Sequence, residues 1–333
     1  MYKQYLITGA TTQLGKHIVQ LLLENGENVR VLVNPDDTTE FDERVDIFRG
    51  ETFNKDSMKE FFDVEEPRQC ALIHADELVE ISDKINLTMR RVNVSGAVNV
   101  TDCCIKNKIG RMVYVGTAYS LDPTQEQTSG SLHFDRNRVA GEYARTKAEA
   151  ASYIMEKVSM NKFNAVMVLP TFIIGPDTSP DSDVSRALDA YINHDVPMVQ
   201  GAHSFVDVRD VAMSTLAIAK QGESGCGYFI TGDHKNSFEF FREACEVTGV
   251  DKEVKPMARW AQSAKMSRVV DTFYKISKKD NPKEVYSLFR NMPDADYQNT
   301  AYELMPNADV TDLRDTLKET VTALGLSQEK LEC

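Results

Sequence analysis

Apolar positions in the first half of the chain recur with two alternating periods. Tyr5-Leu6-Ile7-Thr8 is a short apolar run that stops at Gly9. Ile18, Val19, Leu21 and Leu22 then recur at helical spacing, and Gly26 ends that helix. Val29-Arg30-Val31-Leu32-Val33 predicts a second strand, closed by Asn34-Pro35-Asp36-Asp37. Val45-Asp46-Ile47-Phe48 predicts a third, and Met58, Phe61 and Phe62 mark a short amphipathic helix. Cys70-Ala71-Leu72-Ile73-His74 is the continuous apolar run of a strand buried on both faces. A long helix follows, with Val92, Val94, Ala97, Val98 and Val100 before Cys104. Met112–Val115 is the next strand, 122–138 a polar loop, 141–158 a helix and 163–169 a strand. Repeated βα units imply an α/β fold, a doubly wound parallel sheet with helices on both faces.

The pattern changes after Pro170. Short strands are expected at Ser204–Val206 and Tyr228–Thr231, and helices dominate from Ser237. The stretch 256–292 carries no strand signal and reads as a helical cap. Two regions follow: an α/β domain over 1–170, partly completed by the strands around 204–231, and a smaller, mostly helical region over 171–333.

Composition narrows the function. At 333 residues, with 42% apolar and 27% charged, the chain can bury a core without staples. Its 38 basic and 51 acidic residues leave a net charge of −13, which repels phosphate backbones and anionic bilayers. No nucleic-acid or membrane partner is expected. The N-terminus lacks a signal-peptide layout. The six cysteines form no CxxC pair, which points to reduced thiols in a cytoplasmic protein and to no metal site.

Candidate chemistry begins at the first turn. Thr8-Gly9-Ala10-Thr11-Thr12-Gln13-Leu14-Gly15 sits between strand and helix, where a dinucleotide pyrophosphate meets a helix N-terminus. Gly9 supplies the tight turn and Gly15 the close helix packing, while Thr12 stands where a middle glycine is usual. The second strand ends at Val33 and Asn34 with Asp36 and Asp37 beyond, and no arginine to take a 2′-phosphate. Arg30 and Lys16 lie nearby in sequence only. NAD and NADP both stay open.

Tyr143 and Lys147 share a helix face at i,i+4 spacing. A buried ammonium beside a phenol is expected to favour phenolate and lower the tyrosine pKa. Such a tyrosine donates a proton to a carbonyl oxygen as hydride arrives. Thr117 follows the strand Met112–Val115, at the carboxyl end of the sheet where ligands bind. His74 ends a buried strand and reads as a structural or cofactor-edge residue rather than a catalytic one. Asp207-Val208-Arg209-Asp210 reads as a strand-to-helix junction, with Asp207 or Asp210 capping or pairing with Arg209.

With these motifs in order, the sequence resembles an extended short-chain dehydrogenase/reductase of the NAD-dependent epimerase/dehydratase family. The likeness is nearest the dihydroflavonol-4-reductase-like branch. Leu72-Ile73-His74-Ala75, Asn93–Asn99, Leu169–Pro176 and Ser204–Ala212 carry it together with the turn and the Tyr143–Lys147 pair. The resemblance implies a Rossmann-like sheet, bound NAD or NADP, and a C-terminal region that shapes the substrate pocket. It also implies Tyr143 as acid/base, Lys147 as its electrostatic partner and Thr117 as the orienting hydroxyl. Gly9, Thr11, Thr12, Gln13, Leu14, Gly15, Asn34, Glu51, Ala75, Pro170 and Thr171, with Tyr143 and Lys147, would line the cofactor. The expected activity is reduction of a ketone or aldehyde, or oxidation of the alcohol, by a monomer or homodimer. A sugar-nucleotide epimerase or dehydratase on the same scaffold is one alternative. A non-catalytic NAD(P)-sensing protein is the other.

Overall fold

The computed structural model describes residues 2–80, 85–122, 132–160, 163–194, 196–198, 200–253, 255–257, 296–306 and 308–326. The strands are β1 (Gln4–Thr8), β2 (Val29–Val33), β3 (Val45–Arg49), β4 (Cys70–His74), β5 (Arg111–Val115), β6 (Ala165–Pro170), β7 (Phe172–Ile174), β8 (Ala202–Asp207), β9 (Gly227–Ile230) and β10 (Asp233–Asn236). Seven of them form one sheet in the order β3-β2-β1-β4-β5-β6-β9. Every pairing in it is parallel. A three-stranded sheet, β10-β8-β7, stands beside it.

Alternation along the central strands explains the layering. Leu6, Leu72, Met112, Tyr114, Met167 and Leu169 face one apolar core. Their neighbours Ile7, Ile73, Val113, Val115, Val166 and Val168 face the other. The helices divide accordingly. α1 (Gln13–Glu24) puts Leu14, Ile18, Val19 and Leu22 into the second core. α2 (Leu87–Arg90) continues through a π-helical segment, Arg91–Gly96, into α3 (Ala97–Asn107). α3 and α4 (Glu142–Ser159) cover the first core with Ala97, Val100, Ala144, Ala148, Ala151 and Ile154. α5 (Asp183–Asn193) lies on that side too, while α6 (Val208–Gln221) packs beside α1 on the other. α7 (Ser237–Thr248) and α8 (Leu313–Ala323) close the smaller sheet, where Phe205 of β8 stacks on Phe240 at 3.9 Å.

Local departures have physical reasons. The helix expected around Met58 is a single 3₁₀ turn, Lys55–Met58, capped by Asn54, and Phe61 and Phe62 fill the core beyond it. The loop expected to be polar over 122–138 buries Asp122, Leu132 and Phe134 in its described part. The Asp122 carboxylate accepts a hydrogen bond from Arg138 at 2.9 Å, which makes its burial tolerable. The expected helical cap over 256–292 lies outside the described residues apart from Pro256 and Met257. No helix among the described residues is long and apolar enough to cross a membrane.

Candidate active site

The sheet order reverses between β1 and β4, and the crevice above their carboxyl ends is the place for a ligand. Gly9 turns the chain there with φ of +76°, and a Cβ on it would stand 2.4 Å from the Ala75 carbonyl. Thr12 is the N-cap of α1 and needs no glycine conformation, since its φ is −69°. Its hydroxyl donates to Gly9 O at 2.8 Å and accepts the Gly15 N–H at 3.1 Å. The N–H groups of Gln13 and Leu14, at the first two helical positions, have no intrahelical acceptor. Gln13 Nε2 reaches across the crevice to Gly175 O, Pro176 O at 2.9 Å and Thr178 Oγ1 at 2.7 Å.

The end of β2 corrects one expectation. An arginine does sit there: Arg49, from β3, donates to the carbonyls of Asn34, Pro35 and Asp37, the last at 2.7 Å. Arg30 instead turns to the carbonyls of Phe61 and Asp63. The exposed Asn34 caps its own turn, accepting from Asp36 N. Asp37 meets the glycine turn. Hydrogen bonds from Thr39 hold its carboxyl below the usual range, and the Thr11 hydroxyl and Arg49 add to this. Glu51 contributes its backbone N–H to Ser57 Oγ. Thr52, one residue on, reaches the crevice and donates to Asp76 at 2.6 Å.

Thr117, Tyr143 and Lys147 converge at the other end. Thr117 caps a short turn after β5, its hydroxyl donates to Pro170 O at 3.4 Å, and it lines the same cleft as Tyr143. Lys147, 2% exposed, donates to Val115 O at 2.7 Å. Ala75 N donates to Thr8 O and Thr171 N to Ile230 O, so both are held by strand edges. His74 is buried at the end of β4. Its Nδ1 lies 2.6 Å from Thr8 Oγ1, and burial, aided by Lys147, pushes its pKa down to about 3.

The Tyr143 pKa is raised where a lowering was expected, and a residue the spacing did not reveal shares in the cause. Glu77 Oε2 accepts the Tyr143 hydroxyl at 2.9 Å and lies 2.9 Å from Lys147 Nζ. Burial raises the Tyr143 pKa well above its usual value, and the Glu77 carboxylate raises it further. Glu77 raises Lys147 as well, against the opposing effect of burial. One signal was available: a carboxylate just past a buried strand, at the ligand edge of the sheet.

A cleft of about 240 Å³ joins the two ends. Thr12, Gln13 and Leu14 line it at one side, Thr117, Tyr143 and Glu77 at the other. Pro170, Phe172 and Val184 form its apolar wall, with the Thr171 backbone between them. No group of three or more His, Cys, Asp or Glu among the described residues could hold a metal ion.

These features define a dinucleotide-binding α/β protein with a Thr–Tyr–Lys constellation. The model of the NAD dependent epimerase/dehydratase family matches residues 5–230, and the chain belongs to this family of NAD-dependent enzymes, the extended short-chain dehydrogenases/reductases. The chain is 28% identical over 252 residues to sterol demethylase protein B of Methylococcus capsulatus, covering 73% of this chain and 74% of that protein. It is 26% identical to the 4-hydroxy-2-methyl-3-oxo-4-farnesyl-3,4-dihydroquinoline-1-oxide ketoreductase of Stigmatella aurantiaca, over 74% of each chain. Among solved structures, the UDP-glucose 4-epimerase of Thermus thermophilus, in complex with NAD, shares the fold. Its TM-score is 0.72 at 18% identity, over 97% of this chain and 99% of that one.

The residues present fit such a cofactor at the turn. Gly9 lets the turn lie against the Ala75 backbone at the sheet edge, and the first N–H groups of α1 are of the kind that bind a phosphate. At the Lys147 end, the ammonium is engaged by Val115 O and Glu77.

Proposed function

We propose that the protein is an NAD(P)-dependent carbonyl reductase or alcohol dehydrogenase. One observation carries this reading: Thr117 and Tyr143 line one end of a cleft whose other end is the glycine turn, and Glu77, beside Tyr143, joins the buried Lys147 to them. The nicotinamide, when bound, supplies or accepts the hydride at the carbonyl carbon. Thr117 holds the substrate oxygen, and Tyr143 gives it a proton in the reductive direction. Lys147 supplies the positive charge behind Tyr143. Gln13, Leu14 and Thr12 hold the pyrophosphate through the start of α1, with Ala75, Pro170 and Thr171 along the nicotinamide half. The apolar wall suits a hydrophobic carbonyl compound, and the ketoreductase relative supports that chemistry.

Tyr143→Phe is expected to bind cofactor normally and to lose at least about 100-fold in kcat for carbonyl reduction. Fluorescence titration with NADH and steady-state kinetics measure both. Full turnover in the variant would exclude the mechanism.

NAD is the favoured cofactor. Asp37, hydrogen-bonded to Thr11 beside the turn, opposes a 2′-phosphate, and Arg49 is committed to three carbonyls. NADH is therefore expected to bind at least about tenfold more tightly than NADPH, a difference of about 1.4 kcal/mol. Tighter NADPH binding would assign Arg49 to the phosphate instead. A dehydratase on this scaffold is the second reading, because Glu77 places a carboxylate beside Tyr143. Retention of NAD through purification, with release of water from a sugar nucleotide, would establish it.

A further inference from the structure

The segment after β4 carries Ala75, Asp76 and Glu77 over the carboxyl edge of the sheet. Its path is fixed from the π-helical segment. Buried Asn93 accepts from Leu78 N at 2.8 Å and donates to Leu78 O at 3.0 Å, and its Nδ2 also reaches Thr146 Oγ1 at 3.1 Å. One side chain thus clamps the residue next to Glu77 to the helix that bears Tyr143 and Lys147. Glu77 Oε2, so placed, stands 2.9 Å from both the Tyr143 hydroxyl and the Lys147 ammonium.

We propose that Glu77 is a positioning residue that holds Tyr143 as a protonated hydrogen-bond donor and takes up the Lys147 charge that would otherwise stabilise phenolate. The catalytic consequence depends on the reductase reading given above. Reduction needs Tyr143 to start protonated, whereas alcohol oxidation needs it ionised. Glu77 therefore extends the reductive working form to higher pH and delays the oxidative one.

Other charges around the pair leave this role to Glu77. His74, from β4, is held neutral by burial. Asp76 is pushed upward by burial and is tied to Thr52. Tyr114, from β5, lies under Lys147 with its ring centroid 5.0 Å from Nζ, and burial raises its pKa. Asp183, on the α5 wall of the cleft, is paired with Arg186 at 2.7 Å.

The test is an ultraviolet titration of tyrosine ionisation, taken as the difference between a protein and the same protein carrying Tyr143→Phe. In the wild-type background the Tyr143 step is expected above the ordinary phenol value of about 10. In Glu77→Gln it is expected at least about one pH unit lower, a tenfold rise in the ionisation constant. The alkaline limb of the reductive kcat/KM profile should move down by the same amount. Glu77→Ala is the second variant, with the same expected direction, should the glutamine protein not fold by circular dichroism. An unmoved Tyr143 step in a folded Glu77 variant overturns the proposal. The titration needs no substrate, so the two readings separate. A shifted step with turnover indifferent to Tyr143→Phe would sustain Glu77 and sink the reductase. An unshifted step with Tyr143-dependent turnover would do the reverse.

Discussion

Asp207 shows how one side chain can join a strand, a helix and a distant element. It ends β8, caps α6 through Arg209 N at 2.7 Å, and accepts the Arg209 guanidinium and the Thr316 hydroxyl, each at 2.7 Å. Burial works to raise its carboxyl, but the hydrogen bonds from Arg209 and Thr316 outweigh it and hold the group below the usual range. A carboxyl depressed by folding stabilises above its unfolded value of about 3.9, and that contribution is lost as pH falls through the folded value. Asp207→Asn is therefore expected to cost about 2 kcal/mol near neutrality. The gap to wild type should shrink below about pH 4. Urea unfolding at several pH values measures it, and a constant gap would contradict the linkage. Adjacency offered Asp207 or Asp210 as the partner of Arg209, and the structure gives Asp207; Thr316 was not readable, being 109 positions away. Tyr143 teaches the same lesson in reverse. Its spacing to Lys147 was legible, yet burial, with Glu77 arriving from 66 positions earlier, pushes its pKa up where a lowering was expected.

At the scale of elements, the turn into α1 departs from a three-glycine pattern without losing its geometry. Thr12 keeps an extended backbone and uses its hydroxyl to cap the helix, a role worth about 1 kcal/mol in comparable helices. Gly15 is the constrained position. A Cβ there would lie 2.0 Å from Gly9 O and 2.8 Å from Gly9 C. Gly15→Ala must push α1 away from the turn that holds the pyrophosphate. The expected cost is about 2–3 kcal/mol of stability with weakened NADH binding, read by urea unfolding and fluorescence titration. Wild-type values in both would show that the helix start shifts freely. The π-helical segment escaped sequence reading, because Val92, Val94 and Ala97 fit an ordinary helix period equally well. What distinguishes it is the tertiary hold of Asn93 on Leu78 and Thr146.

Over the whole molecule, the division near residue 170 marks a change of pattern more than a seam in the core. β9 pairs with β6, α6 covers the same face as α1, and Thr300 N donates to Phe229 O. Arg111 of β5 reaches the Ala219 carbonyl of α6 at 3.0 Å. A fragment of residues 1–170 would expose the second core of the sheet to water. It is expected to lack a cooperative thermal transition by circular dichroism, whereas the full chain shows one. A sharp transition in the fragment would establish an independently folding unit.

The alternation of buried strands and amphipathic helices, the glycine turn, and the shared face of Tyr143 and Lys147 follow from the order of residues alone. These features are legible because backbone periodicity and i,i+4 neighbours are set along the chain. Which charges meet depends on the folded chain. Glu77 between Tyr143 and Lys147, Arg49 over the end of β2, Asp37 at Thr11 and Gln13 across to Thr178 all join residues from separate elements. Electrostatic and hydrogen-bond energies depend on distance in space, and that distance exists only once the sheet has brought its strand ends together.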